Sequence, residues 1–471
     1  MDKKIGVLLP VSSLPGRHGI GDFGEVSKKF IKWLNENGFS YWQILPLNPV
    51  GPAYSPYLTV SSKAIDIRYI SLDYLTKEKL LKMTPSFKEN SYKIDYKSIY
   101  KFKKAYIYEA YLNFIKVNQH VLDKFKKENK WVIEYAIYQI LKEKNKGKPW
   151  GKWNKKDINF FSLNKLIPEQ YIDRINFETF IQYIAKKQWL NILKFAHKNK
   201  INIIADVPFY VGYDSIDCWT NKEQFLIDEN NNMIEVGGVP PDGFNEDGQL
   251  WGNPIYDFEK MKKDKYSFLI DRIAYLYKMC DYLRLDHFRA FDTYFTIKAG
   301  AINAKNGIWK IGPRTDFFNS LNKKCGHMNL IAEDLGVLCP SVYELKDEVK
   351  LPGMYIFQFG IFDKEKITDE NTIVYTGTHD NETIKSWYKG LNVYEKTKLF
   401  EILDYPKNIY EGIFNYLISL PCKFVIFPLQ DLLLLDNKAR INFPGTISSK
   451  NWTWKMNSFN VLKKYSFDLK K

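Results

Sequence analysis

Asp286, Glu333 and Asp380 fall at equal intervals along the chain, and each closes an apolar, β-rich run. His287 follows the first and His379 precedes the third. Acids also lie at or just past the ends of neighbouring runs: Asp206, Asp334, Asp363 and Asp431. The plainest account of an acid after a strand is a helix N-cap, whose side-chain oxygen accepts an orphan backbone N–H. Capping accounts for Asp206, Asp363 or Asp431 taken singly as well as chemistry does. It accounts poorly for Asp286, Glu333 and Asp380 taken together with their histidines.

Converging carboxylates serve two chemistries. One is a cage for a divalent cation. The other is glycosyl transfer, which needs one carboxylate as nucleophile and one carboxylic acid as proton donor. Arg284 lies two residues before Asp286 on the same strand face, and Arg289 lies just beyond. A guanidinium there keeps Asp286 ionised and repels a metal ion. Asp334 beside Glu333 adds negative charge that helps keep Glu333 protonated. Such a split between two carboxyls is what acid and nucleophile roles require.

Other chemistries lack their signatures. Of the six histidines, His120 and His197 sit on helical patterns and read as surface or satisfied residues. There is no HExxH, GxSxG, GxGxxG or GxxxxGK[ST]. The five cysteines, Cys218, Cys280, Cys325, Cys339 and Cys422, are odd in number, widely spaced and without a CxxC. That pattern argues against a disulfide framework or zinc site and for a reducing, cytoplasmic compartment. Residues 1–11 hold two lysines and an apolar run, but the run is short and no small-residue cleavage site follows, so no signal peptide is expected.

The acids need a scaffold that brings distant strand ends together. Eight apolar runs have the character of buried parallel strands: 5–11, 41–47, 201–210, 281–288, 328–335, 353–360, 372–379 and 423–429. Several follow helical patterns. The clearest is 177–197, where Phe177, Phe180, Ile181, Ile184, Trp189, Ile192, Leu193 and Ala196 share one stripe. Eight strands alternating with helices predict an α/β fold, a (β/α)8 TIM barrel with inserted subdomains. A doubly wound open sheet fits the periodicity too. In a barrel all strand C-termini open on one mouth, where barrel active sites are built.

Two gaps are too long for simple crossovers. We expect one catalytic barrel over 1–471, a helical insertion over 75–175, and a second insertion over 211–260. The latter holds a polar run, 228–233, read as a hairpin turn, and a Gly/Pro-rich stretch, 237–254, of the composition of a functional or disordered loop.

A chain of 471 residues can bury a large core. A net charge of +15 invites an anionic partner, yet only eight of 69 basic residues are Arg. The lysine excess reads as a solvated surface, and no nucleic-acid-reading motif is present, so no nucleic-acid partner is expected. No stretch reaches the roughly 18 apolar residues of a membrane span, so no membrane partner is expected. Aromatics at 16% leave rings to spare for stacking on sugars.

The motifs LPVSSLPGRHGIGDFG (9–24), SPY (55–57), IIADVPFYVGYDS (203–215), GGVPPDGFNEDGQLWGNP (237–254), RLDHFRAF (284–291), LIAEDLG (330–336), YTGTHDNET (375–383) and PLQDLLLLDNKARINFPGT (428–446) stand along nearly the whole chain. By these the sequence resembles the amylomaltase, or disproportionating-enzyme, family of 4-α-glucanotransferases in the α-amylase-like clan. The helical insertion matches only loosely.

The resemblance implies a transferase that moves α-1,4-glucan segments between malto-oligosaccharides, with no metal or organic cofactor. Asp286 is then the nucleophile, Glu333 the general acid and base, and Asp380 a transition-state stabiliser. Arg284 orients Asp286, and His287 and His379 bind the same sugar. Tyr57, Ser55, Asp206, Gln249, Trp251, Asp334, Asp363 and Asn442 match positions around the sugar subsites. The resemblance also implies that 237–254 is an active-site lid. Gly243 departs from many relatives, some of which carry a bulky or aromatic residue there; the glycine forgoes a donor-side sugar contact and is expected to loosen the lid. A catalytically silent glucan-binding protein is the competing reading, and the presence of all three acids and both histidines speaks against it.

Overall fold

The computed structural model describes residues 4–88, 92–163, 166–241, 246–336, 338–363, 369–465 and 467. Each of the eight apolar runs contributes one strand of a parallel sheet. These are β1 (Ile5–Leu8), β2 (Tyr41–Gln43), β3 (Asn202–Val207), β4 (Tyr282–Leu285), β5 (Leu330–Ala332), β6 (Gly353–Ile356), β7 (Thr372–Tyr375) and β8 (Phe424–Pro428). The order is β6-β7-β8-β1-β2-β3-β4-β5. The backbone N–H of Ala332 at the end of β5 donates to Pro352 O, next to β6, at 2.9 Å and draws the two ends together. The result is a (β/α)8 barrel, so the open-sheet alternative falls away.

The strands are shorter than the runs, because their polar ends turn out of the sheet into the mouth. Run 281–288, for example, yields only Tyr282–Leu285 as strand. The helix Ile172–Lys198 buries the expected stripe, Phe177 through Ala196, against the barrel. Asn199 caps its C-terminus, and Lys200 at φ 56° turns the chain into β3.

Between β2 and β3 run the helices Tyr96–Glu128 and Trp131–Lys144, which pack on Ile172–Lys198. Asp95 caps the first by accepting from Ser98 N at 3.0 Å. Lys103 on that helix is fully buried and donates to Arg68 O and Ile70 O at 2.6 and 2.8 Å. Its ammonium also lies 3.6 Å from Asp22. A buried ammonium tolerates such a place only when its donors are filled, so this lysine ties the helical segment to the barrel.

The polar run 228–233 does form a turn, closed by the bridge Ile227↔Met233. A second, antiparallel sheet lies over one side of the mouth, in the order Gln249–Pro254, Glu235–Val239, Thr293–Lys298, Ile308–Ile311. Its first two strands come from the segment between β3 and β4, its last two from the segment after β4. The latter pair was not foreseen. Residues 242–245, including Gly243, lie outside the described residues.

Candidate active site

The register of β3 against β4 sets Asp206 beside Arg284. Both side chains point into the mouth, and Arg284 Nη1 donates to Asp206 Oδ1 and Oδ2 at 2.9 and 2.8 Å. Two residues on, the strand alternation returns to the same face. The same Nη1 therefore reaches Asp286 Oδ1, at 2.8 Å. Arg284 and Asp206 are almost completely buried, whereas Asp286 keeps 27% of its side chain exposed. Tyr57 OH donates to Asp206 Oδ2 at 2.7 Å. Burial and the carboxylates around it push the Tyr57 hydroxyl well above its ordinary range, so it stays a donor.

His287 adopts the left-handed conformation at φ 52°, which non-glycine residues seldom take. Its backbone N–H donates to Glu333 Oε2 at 2.6 Å. Enclosure in the mouth pushes the Glu333 carboxyl up to about 8, opposed by Arg284 and assisted by Asp286. Asp334 acts in the same direction but most weakly. Burial lowers His287 to about 4, so its ring is neutral.

Asp380 sits on the loop after β7. Asn442 Nδ2 donates to its Oδ1 at 2.7 Å, and Arg440 Nη2 to its carbonyl at 2.5 Å. His379 Nε2 lies 3.4 Å from Asp380 Oδ1. The His379 ring stacks on Tyr57 at 5.2 Å and 12°, with Trp452 on another side at 5.8 Å. Ser55 Oγ accepts from Tyr57 N at 3.3 Å. From the antiparallel sheet, Trp251 meets the His287 ring edge to face at 4.9 Å, and its Nε1 donates to Gln249 Oε1 at 3.1 Å.

The structure thus gathers Asp206, Arg284, Asp286, His287, Glu333, His379, Asp380, Asn442, Tyr57, Ser55, Gln249 and Trp251 around one mouth. Two expected residues stand apart. Asp334 is turned to Lys346 at 3.3 Å and to Met354 N at 2.6 Å, because Gly353 leaves room for its carboxylate behind β6. Asp363 is exposed on the turn after β6 and bonds through its N–H to Gly360 O. The Arg289 guanidinium lies over the Trp309 ring at 3.7 Å. Asp431 is a capping acid. It accepts from Ile384 N and Thr376 Oγ1 at 2.7 and 2.6 Å, and burial pushes it up to about 7.

Arg440 and Trp452 escaped the reading of the sequence. Arg440 lies in the KARINF stretch, but nothing in its spacing pointed across the mouth to Asp380. Among the described residues no group of three or more His, Cys, Asp or Glu is disposed to hold a metal ion.

A parallel barrel with carboxylates, an arginine and aromatic rings around the strand C-termini defines a barrel enzyme of the carbohydrate-active kind. The sequence profile of the 4-alpha-glucanotransferase family, glycoside hydrolase family 77, matches residues 9–461. The chain belongs to that family and is an enzyme of it. It is 35% identical to the 4-alpha-glucanotransferase of Streptococcus pneumoniae, over 96% of this chain and 93% of the relative. It is 36% identical to that of Aquifex aeolicus, over 98% and 96%. The solved amylomaltase from Streptococcus agalactiae in complex with acarbose superposes with a TM-score of 0.92 at 32% identity, covering 99% and 97%. No helix among the described residues is long and apolar enough to cross a membrane.

Proposed function

We propose that the protein transfers α-1,4-glucan segments between malto-oligosaccharides by a retaining double displacement. One observation carries this reading: two carboxyls share one mouth in different settings, Asp286 ion-paired with Arg284 at 2.8 Å and Glu333 pushed up to about 8 by enclosure. Asp286 attacks the anomeric carbon while the glucosidic C–O bond breaks, and Glu333 gives its proton to the leaving oxygen. The donor's remaining segment is then an ester of Asp286. In the second half an acceptor hydroxyl gives its proton to Glu333, its oxygen bonds to the anomeric carbon, and the ester C–O bond breaks.

Asp380, fixed by Asn442 and Arg440, holds sugar hydroxyls in the transition state. Arg284 positions Asp286. His287, His379, Tyr57, Ser55, Asp206, Gln249, Trp251 and Asn442 line the sugar subsites. Asp334 and Asp363 stand outside this lining, Asp334 supporting β5 and β6 from behind the mouth. The substrates are maltodextrins and the linear chains of glycogen or starch. The chain divides into one catalytic barrel over 1–471, a helical insertion over 75–175, and an insertion over 211–260 whose segment 237–254, strand at both ends, serves as the lid. Five cysteines free of disulfides fit a reducing cytoplasm. No cofactor takes part, and activity is expected to survive EDTA.

Incubation with maltotriose tests the reading. A ladder of longer oligomers together with glucose is expected. Shorter sugars alone identify a hydrolase instead.

A further inference from the structure

Tyr210 follows β3 and is wedged between barrel and lid, with 6% of its surface exposed. On the barrel side its ring lies 5.9 Å from Tyr256 and 6.3 Å from His287. On the lid side it lies 6.3 Å from Trp251. Gly237, in the lid strand Glu235–Val239, sits directly on the same ring. A Cβ there falls 3.1 and 3.2 Å from two ring carbons, closer than a side chain ordinarily packs. The residue opposite Gly237 in the sheet is Thr296. Its Oγ1 and the Tyr210 hydroxyl are both buried without a hydrogen-bond partner among the described residues. The contact itself is therefore the fit of a ring against a bare backbone, while the neighbouring strand is tied down beside it by Asn253 Nδ2, which donates to Val211 O at 2.9 Å.

The strand carrying Gly237 pairs directly with the strand carrying Trp251, through Gly238↔Leu250 and Val239↔Gln249. A displacement at Gly237 is passed to Trp251, whose ring packs on His287 beside Asp286. We propose that the contact between Tyr210 and Gly237 is a positioning device that decides whether a sugar hydroxyl or water completes the reaction. The inference rests on the glucanotransferase reading above. Either attacker bonds through oxygen to the anomeric carbon, breaks the Asp286 ester and leaves a proton on Glu333. Only the sugar needs the platform, whereas water needs only a gap.

Gly237→Ala and Tyr210→Leu test this on maltotriose. Glucose released and new reducing ends are measured in the same reaction. Transfer conserves glucosidic bonds and creates no new reducing end, whereas each hydrolytic event creates one. The ratio is a property of each folded molecule, so partial loss of stability does not move it. New reducing ends per glucose are expected to rise about fivefold or more in both variants, given how steeply misplacement by fractions of an ångström is felt. If Gly237→Ala does not fold, Tyr210→Leu carries the test. A folded variant with the parent ratio overturns the proposal. A parent enzyme that already makes one new reducing end per glucose overturns the transferase reading itself.

Discussion

The Glu333 carboxyl accepts a 2.6 Å hydrogen bond from the backbone N–H of His287, the residue next to Asp286. One peptide therefore fixes the distance between the acid and its partner carboxylate. The bond occupies Oε2, which leaves Oε1 to carry the proton. The left-handed turn at His287 is what aims that N–H.

Activity is expected to depend on that proton. With Glu333 pushed up to about 8, kcat should hold through neutral pH and fall as pH rises through about 8. A pH–rate profile with saturating maltotriose checks this; a basic limb at an unshifted carboxylate value contradicts it.

Stability should follow the same group with a definite sign. A carboxyl whose folded pKa lies above its ordinary 4.5 binds its proton more tightly folded than unfolded. Its contribution is complete below 4.5 and is lost as pH rises through about 8. Glutamine carries no such proton. The Tm of Glu333→Gln minus that of the parent is therefore expected to grow between about pH 5 and pH 9.

Asp286→Asn and Glu333→Gln should each lower turnover by about 10³-fold or more while the circular dichroism spectrum stays that of the parent. Substantial activity in either folded variant refutes the assigned roles.

Arg284→Met strands the buried carboxylate of Asp206. It should cost about 3–5 kcal/mol in denaturant unfolding, as removal of one partner of a buried pair does. Adding Asp206→Asn should recover part of that loss, which a double-mutant cycle reads directly.

Asn442→Ala removes one charge-assisted bond to Asp380. We expect kcat/KM to fall about 10–100-fold with little change in Tm. Equal losses of activity and stability point to a general packing defect instead.

The barrel was legible because buried parallel strands are written as unbroken apolar runs, and all eight reached the sheet. Run ends were not, since Asp286, Glu333 and Asp380 turn out of the strands into the mouth. Thr293–Lys298 and Ile308–Ile311 went unseen because their partners are set by the fold. Thr293–Lys298 pairs with a strand from before β4, and short edge strands carry little period of their own. At the site, near neighbours in sequence were readable as a unit: Arg284 in the strand and Asp286 just past its end are two residues apart and meet at 2.8 Å. Asp206 could be placed at the mouth, but its bond to Arg284 needed the register. Arg440, Trp452 and the turned-away Asp334 depend on contacts between distant segments, which one sequence does not encode locally.

The four-residue helix Arg289–Asp292 joins the loop of Asp286 and His287 directly to the strand Thr293–Lys298. The antiparallel sheet beside the mouth is consequently not a detachable module. Half of it is the downstream continuation of the peptide that carries Asp286, and half is an upstream insertion. A chimera that borrows only residues 237–254 from a relative sets foreign strands against the native pair Thr293–Lys298 and Ile308–Ile311. The four strands of this sheet are therefore paired across two segments of the chain, 235–254 and 289–311, that lie on either side of β4.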